Sequence, residues 1–550
     1  MAFKIAVITE EHMQSAWVMQ CLENLHSIDE VEFTLHLIAD KPTLAASPNW
    51  KGVLSKFFSK NLLFKLFYRL HSRTIKKTTD EIDKFGCRSM RTTVLTQGKF
   101  SYKFDNAVLD ELQDLNLDVI LLFGIGIIQG DILNSAKHGV WSHHHGDERH
   151  YRGRPACFWE YFYGEKTTGG ILQKLSPVLD GGIVLERFFI RNEGLNYGER
   201  LNQIQFSGCR AATQVVKKIL NGIPLIEESE IDRNLGAVYR MPENSEMLRF
   251  FIKSFLQKVQ YLLTTWFMAD YWCVGVGKID PNISALGLDF ESLAWSYYPL
   301  GDGFIADPYL FNSGNGVQVL LEDYSHKTRR GTIGKYDLNS KNQLVRSAMF
   351  LDNSRHLSFP STFEVGEQRY FICESQTEGI LKAYILQDGD IDEENSIVLL
   401  EEAVADPCIV EYKSQLWLFG SDENHQMSIW FSSTKSIDFK RTEYSPFMPN
   451  PFNSRSAGRP IVNEDKLLRF TQDCSGKYGA RIHVYEIKLL TEKEYVETYI
   501  ESIEPEATWH YKEGIHTLNI LEDRFVVDAK TSRLISFDIF KGKCLRLLNY

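Results

Sequence analysis

The spacing of apolar positions changes along the chain and divides it. Lys4 to Thr9 is a short apolar run that predicts a strand. From Gln14 to Leu25, Trp17, Met19, Leu22 and Leu25 fall at helical spacing. Val31, Phe33, Leu35 and Leu37 alternate with polar residues, as a half-buried strand does. Asp105 to Leu115 reads as an amphipathic helix, and Asp118 to Phe123 as a buried strand. Strand–helix alternation of this kind predicts a mostly parallel sheet with helices on its faces, a Rossmann-like α/β domain. No GxGxxG follows the first strand, so no dinucleotide site is expected there.

Residues 51–77 interrupt the alternation. Lys56, Lys60, Lys65, Arg69, Arg73 and Lys76 recur every three to five residues among Phe57, Phe58, Leu62, Leu63, Leu66, Phe67 and Leu70. The pattern predicts a basic amphipathic helix. It suits an inserted helix packed on the sheet first, and peripheral contact with an anionic membrane surface or a partner second. Near residue 227 the character changes. Glu227-Glu228-Ser229-Glu230 reads as a linker, and 246–270 as a helical, apolar bridge. Beyond Tyr271 helical periodicity nearly disappears.

The second half repeats. Ala306-Asp307-Pro308, Ser358-Phe359-Pro360, Ala405-Asp406-Pro407 and Gly458-Arg459-Pro460 each lead into a strand, a turn and a second apolar strand. The second strands end at Glu322-Asp323, Glu374-Ser375, Ser421-Asp422 and Gln472-Asp473. A period near fifty with several strands per unit predicts a β-propeller. A fifth blade would close the ring by joining 510–530 to strands near 272–297. Proline fits a strand start, where no ladder donor is needed. The expected domains are therefore 1–226 (α/β), 227–270 (helical linker) and 271–550 (five-bladed β-propeller).

Composition narrows the function. A 550-residue chain needs two or three cores. The net charge of −11 argues against general nucleic-acid binding, which needs a basic footprint. Nine cysteines without a CxxC suggest free thiols in a reducing compartment. Met1-Ala2-Phe3-Lys4 leads straight into an apolar run broken by Glu10 and Glu11, and Val119 to Ile128 is too short to span a bilayer. The expectation is a cytoplasmic protein. Oligomeric state is not set by these patterns.

The candidate chemistry lies in Gly139 to Gly153 (GVWSHHHGDERHYRG), which follows the buried strand and the loop Phe123-Gly124-Ile125-Gly126. Leu179-Asp180-Gly181-Gly182 comes about thirty residues later. Alternation along a strand puts Ser142 and His144 on one face, and His143 and His145 on the other. A single metal ion would then see at most two of the three histidines, so a metal site with Asp147 is not expected. Phe158, Trp159, Tyr161 and Phe162 sit at helical spacing and read as packing.

Over roughly residues 1–225, and most over 117–188, these motifs resemble the folate-dependent formyltransferases. That family includes methionyl-tRNA, glycinamide-ribonucleotide and sugar-nucleotide amine formyltransferases. Its pattern is a strand carrying Asn-x-His, then Tyr-Arg-Gly, then a Leu-Asp-x-Gly loop. Here Ser142 takes the Asn position, while His144, Tyr151-Arg152-Gly153 and Asp180 fit. The resemblance implies transfer of a formyl group from 10-formyltetrahydrofolate, the co-substrate, to an amine. It makes His144, Asp180 and Ser142 the catalytic candidates and assigns Phe123, Gly124, Ile125 and Gly126 to the folate pterin. The reaction needs a proton acceptor for the attacking nitrogen and a donor for the tetrahedral oxyanion. Ser142 carries one O–H donor where an amide carries two N–H donors. His143, His145, Asp147 and Arg152 are candidates for holding the acceptor.

A five-bladed propeller with axial acids resembles the glycoside-hydrolase families of that architecture. It also resembles the domain beside the glycosyltransferase in glucosaminyl inositolphosphorylceramide transferases. Hydrolysis of a glycosidic bond needs two carboxylates. Asp307, Glu374 and Asp406 are the candidates, with Glu322 and Asp323 next; an Asp before Pro also simply turns the chain. Together the two resemblances imply a formyltransferase acting on a small-molecule or glycan amine, an amino sugar linked to a nucleotide or a lipid. The alternative is a carbohydrate-binding or glycan-active propeller beside a degenerate formyltransferase domain.

Overall fold

The computed structural model describes all residues except 1, 11–12, 43–58, 72–76, 98–100, 193–195, 226–234, 283–285, 299–302, 315, 376–377, 464 and 537–550. It forms two compact units, Met1–Lys258 and Val259–Tyr550.

The first unit is built on a seven-stranded mixed sheet. In chain order its strands are β1 (Phe3–Thr9), β2 (Val31–Asp40), β3 (Arg88–Thr93), β4 (Val119–Phe123), β5 (Val140–His144), β6 (Thr167–Lys174) and β7 (Ile183–Arg191). The spatial order is β7-β6-β5-β4-β1-β2-β3. β3, β2, β1, β4 and β5 run parallel, and β6 and β7 close one edge antiparallel. All five residues of β4 are buried, as a parallel strand covered on both faces requires. Ala6, Ile8, Leu35, Leu37, Ile120, Leu122 and Val140 share one core cluster, so the sheet's alternation is spent on burial.

The helices are α1 (Ala16–His26), α2 (Leu62–His71), α3 (Asn106–Asp114), α4 (Phe158–Tyr163), α5 (Tyr197–Ser207), α6 (Ala211–Leu220) and α7 (Asn244–Phe267). Side chains cap the starts of α3 and α5, whereas Ser15 ahead of α1 makes no such bond. Asp105 accepts the Val108 N–H ahead of α3. Asn196 and Glu199 form a reciprocal capping box on α5.

Two expectations shift. The basic stretch 51–77 is helical only over α2 within the described residues. Lys77 opens a strand, and 51–58 and 72–76 lie outside the description. The acidic stretch at 227–230 also lies outside it. Within the expected linker, Ala237–Tyr239 instead pairs in parallel with Tyr151–Gly153 of the first unit. The division between the units falls inside α7.

The second unit is antiparallel β throughout its described length after α7, in five four-stranded sheets. The first runs from Gly303–Ser313 to Leu344–Leu351, the second from Ser358–Val365 to Asp390–Leu400. The third runs from Ala405–Tyr412 to Lys440–Arg441, the fourth from Ile461–Asn463 to Tyr495–Ile503. The fifth joins the two ends of the unit: Leu288–Ser296 and Met268–Ile279 pair with Arg524–Leu534 and Leu518–Leu521.

Pro308, Pro360 and Pro407 do not open their strands. Each sits inside a first strand at a β-bulge, where the ladder skips from Ala306 to Tyr309, from Ser358 to Ser361 and from Ala405 to Cys408. The residue before each proline is left-handed: Asp307 (φ 51°), Phe359 (φ 49°) and Asp406 (φ 49°). That conformation costs roughly 1 kcal/mol or more per non-glycine residue. It also frees an amide from the ladder that must find another acceptor.

Candidate functional site

The first cluster forms at the end of β5. Ser142 and His144 share a face there, and His143 and His145 share the other. His143 and His145 lie parallel to each other (ring centroids 6.4 Å apart), and both meet the edge of Trp17 of α1. The His143 Nε2 is 3.1 Å from the Gly208 carbonyl. Burial pulls the His143 pKa down to about 4; burial, with the His143 charge, pulls that of His145 to about 3. Both are neutral packing residues on the helix side of the sheet.

His144 faces the other way. Its Nε2 is 3.1 Å from the Tyr151 carbonyl, and its Nδ1 is 3.4 Å from Asp180 Oδ1. The first contact needs Gly146, because a Cβ there would lie 2.7 Å from both the Nε2 and the Tyr151 carbonyl. The His-Gly after His144 is therefore the means by which the ring closes on the Tyr-Arg-Gly strand. Asp180 sits left-handed (φ 47°), and its Oδ2 accepts the Gly153 N–H at 2.9 Å. Arg152 donates to the carbonyls of Gly236 (2.8 Å) and Leu179 (3.1 Å). It fastens the Asp180 loop rather than presenting its charge to a ligand.

Ser142 behaves differently from an amide. Its hydroxyl donates to the Leu122 carbonyl of β4 at 3.1 Å. A hydroxyl has one proton to give, so this bond consumes its only donor. Asp147 is also engaged, by Arg149 (2.7 Å) and Arg187 (3.5 Å), with Glu148 bound to the same Arg187 (2.5 Å). Burial opposes its charge most, but the hydrogen bonds and charge of Arg149 together with the charge of Arg187 outweigh that and hold the Asp147 carboxyl below its usual value. Phe123 stacks on His143. Gly124 (φ 84°) and Gly126 (φ 102°) carry the loop away from β4, and a Cβ on Gly124 would meet nothing within 4 Å. Gly124 and Gly126 are exposed there, while Ile125 between them is fully buried in the core.

Glu160 of α4 was not singled out by sequence. It is buried, one carboxylate oxygen has no hydrogen-bond partner, and burial pushes its pKa up to about 8. An acid among the aromatic residues of α4 gives no local signal for this.

The second cluster lies among the first strands of the five sheets. The three amides freed by the bulges are captured by carboxylates. Asp307 N–H donates to Asp528 (3.2 Å), Phe359 N–H to Asp307 (3.2 Å) and Asp406 N–H to Glu374 (2.8 Å). Because Phe359 supplies no acid to its neighbour, Glu374 of the adjacent strand takes over that task. The remaining links follow suit: Arg459 N–H donates to Asn519 (3.1 Å), which donates to the Pro308 carbonyl (2.7 Å). Asp307, Glu374 and Asp406 thus bind one sheet to the next.

Their charges are balanced unevenly. His516 lies between Asp307 (Nε2–Oδ1 3.0 Å) and Asp528 (Nδ1–Oδ2 2.8 Å, off the line of a good hydrogen bond). Burial disfavours its charge, but the two carboxylates lift its pKa to about 10. Burial likewise opposes the charge of Asp307, and His516 and Thr517 hold it ionised. Asp406 binds Arg455 through both oxygens (2.5 and 3.0 Å) and accepts from Gln472 (3.0 Å). Glu374 is pushed up to about 8 by burial and by Asp406, and Glu322 well above its usual value by burial and by Asp307. Two neutral acids thus stand beside two carboxylates. Asp307, His516 and Asp528 bring ligand-type atoms within 4.8 Å of one another. In this arrangement His516 pairs with both carboxylates.

A cavity of about 810 Å³ opens at the far end of the first strands. Its polar lining is Thr362, Glu364, Glu411, Arg459 and Asn463. Asp307, Glu374 and Asp406 do not line it. Arg459 also borders a tight void beside Asp307 and Phe359.

With both clusters placed, likeness to known proteins can be set against them. Residues 293–518 match the family model described as "Glucosamine inositolphosphorylceramide transferase 1, N-terminal". The match covers the first four sheets and reaches the start of Leu518–Leu521. Glucosamine inositolphosphorylceramide transferase 1 of Arabidopsis thaliana is 30% identical over 211 residues, which is 36% of this chain and 28% of that protein. The chain thus spans less than a third of that relative. Solved structures similar to it include glycinamide ribonucleotide transformylase 1 from Symbiobacterium toebii, at 13% identity over 44% of this chain and 95% of that one (TM-score 0.28). A thermostable family-43 glycoside hydrolase matches at 8% identity over 37% of this chain and 77% of that one (TM-score 0.29). At these TM-scores neither structural likeness decides the fold.

Proposed function

We propose that the first unit transfers a formyl group from 10-formyltetrahydrofolate to the amine of an amino sugar, nucleotide- or lipid-linked. We read the five sheets of the second unit as a five-bladed propeller that recognises the sugar. The observation that carries the first part is His144 with Asp180 at the end of β5, beside the open loop 123–126. The folate supplies an activated formyl carbon, and the loop backbone holds its ring. His144 would exchange its Nε2 contact with the Tyr151 carbonyl for the attacking nitrogen, take that proton and return it to the departing nitrogen, while Asp180 at Nδ1 stabilises the imidazolium between the two steps. With the Ser142 proton committed to Leu122, the oxyanion depends on protonated His144. The sugar acceptor is supported by the likeness of residues 293–518 to the glucosamine inositolphosphorylceramide transferase family model and by the Arabidopsis relative of that name. The experiment is turnover of 10-formyltetrahydrofolate with a panel of amino-sugar nucleotides and lipid-linked amino sugars. A product that vanishes in His144→Asn supports the reading, and no turnover on any acceptor contradicts it.

A second reading rests on a separate observation. Glu322 and Glu374, held neutral by burial, stand beside Asp307 and the Arg455-paired Asp406, and glycan hydrolysis uses such a pairing of an acid with a carboxylate. In that case the second unit would act on glycans by itself. Glycan turnover lost in Glu374→Gln and kept in His144→Asn would favour it.

A further inference from the structure

α2 and the first half of α7 pack together inside the first unit. Phe67 meets Phe250 and Phe251, and Phe64 meets Phe158. Asn244 receives the Leu63 N–H at 3.0 Å, and its own amide donates to the Lys60 carbonyl at 2.7 Å. The buried positions, Phe64 and Phe67 on α2 and Met247 and Phe250 on α7, account for the inner faces.

The outer faces are inverted relative to an ordinary surface helix. On α7, Leu248, Phe251, Ile252, Phe255 and Leu256 recur at i, i+3, i+4, i+7 and i+8. That is one continuous apolar stripe, and it is turned to solvent. Leu66 and Leu70 extend it on α2. These seven side chains are 40–67% exposed. Monomeric soluble proteins seldom expose so contiguous a patch without a partner.

Charge decides which partner. Lys65 and Arg69 flank Leu66 and Leu70, and Arg249 and Lys258 flank the α7 stripe. In sequence, residues 51–77 hold eight Lys and Arg and no Asp or Glu, in a chain whose net charge is −11. An apolar stripe edged with cations suits one surface above others: a bilayer whose headgroups are anionic, with the leucines and phenylalanines entering the acyl boundary. No described helix is long and apolar enough to cross a membrane, so the attachment would be peripheral. We infer that α2 and the Leu248–Lys258 part of α7 form a docking face for anionic lipid.

The test is cosedimentation of the full chain with vesicles of phosphatidylcholine alone and with about 30% phosphatidylserine. Binding is expected only to the second kind, and it weakens with salt. Lys65→Gln with Arg69→Gln should weaken it about 30-fold. Ile252→Glu with Phe255→Glu should abolish it. All four positions are at or near the surface, so the thermal transitions of the variants should match the parent's and report that both fold. Failure of the parent to sediment with phosphatidylserine vesicles at low salt overturns the inference, as does binding that neither pair alters. So does a parent dimer that Ile252→Glu with Phe255→Glu turns into monomer with no vesicle binding, which would make a second copy the occupant.

Discussion

Replacing His516 with glutamine removes the cation held between Asp307 and Asp528. Two costs can be worked out. The imidazolium has a pKa of about 10 in the folded chain against 6.5 unfolded. At about 1.36 kcal/mol per unit, its proton contributes on the order of 5 kcal/mol. Breaking a buried ion pair from one side leaves uncompensated charge and costs about 3–5 kcal/mol. The two figures describe one interaction seen from two directions, so they are not summed. Since the folded-state pKa is raised, the stabilisation is complete below about 6.5 and drains away as pH climbs towards 10. Glu374 adds to the same trend: it is held neutral to about 8, so folding becomes less favourable once the unfolded chain would ionise it. Scanning calorimetry of the full chain at several pH values checks this. At neutral pH the transition of the second unit should fall by about 6–15 °C in His516→Gln, at roughly 2–3 °C per kcal/mol. The parent should lose the same difference on moving from near-neutral to strongly alkaline pH. A variant within about 1 kcal/mol of the parent, or a parent transition flat across that window, would refute the imidazolium bridge.

Glu374→Gln removes the need to protonate this buried acid on folding and should raise stability at pH 7 by about 3 kcal/mol, whereas Asp406→Asn strands Arg455 and should cost about 3–5 kcal/mol, both read by urea denaturation. Ser142→Asn restores two amide donors beside His144. If the chemistry is formyl transfer, it should raise the steady-state rate by about 10–100-fold, and a fall in rate would mean that Ser142 is suited to a different reaction.

Much of this was legible before any coordinates. Strong periodicity placed β1, β2 and β4, and the amphipathic spacing of Asp105 to Leu115 located α3. Proline spacing separated the sheets of the second unit, and the apolar runs near its two ends marked the strands that pair to form the fifth. Strand alternation alone sorted Ser142 and His144 from His143 and His145. What could not be read depends on partners far apart in the chain. A residue before proline is normally extended, so nothing local announces left-handed Asp307, Phe359 and Asp406; acceptors from neighbouring sheets compensate for that strain. The same holds for His516, an isolated histidine whose meaning comes from Asp307 and Asp528. The loss of Ser142 as a donor is invisible without the Leu122 carbonyl, and Asp147 and Arg152 resemble ligand contacts until their intramolecular partners are seen.

The reading of the first unit stands on one event that precedes any choice of acceptor. Titration of the full chain with 10-formyltetrahydrofolate in a calorimeter tests it most directly. The account predicts saturable binding that persists in His144→Asn, because the loop at 123–126 and not the histidine holds the ring. Absence of binding to the folded parent would contradict it.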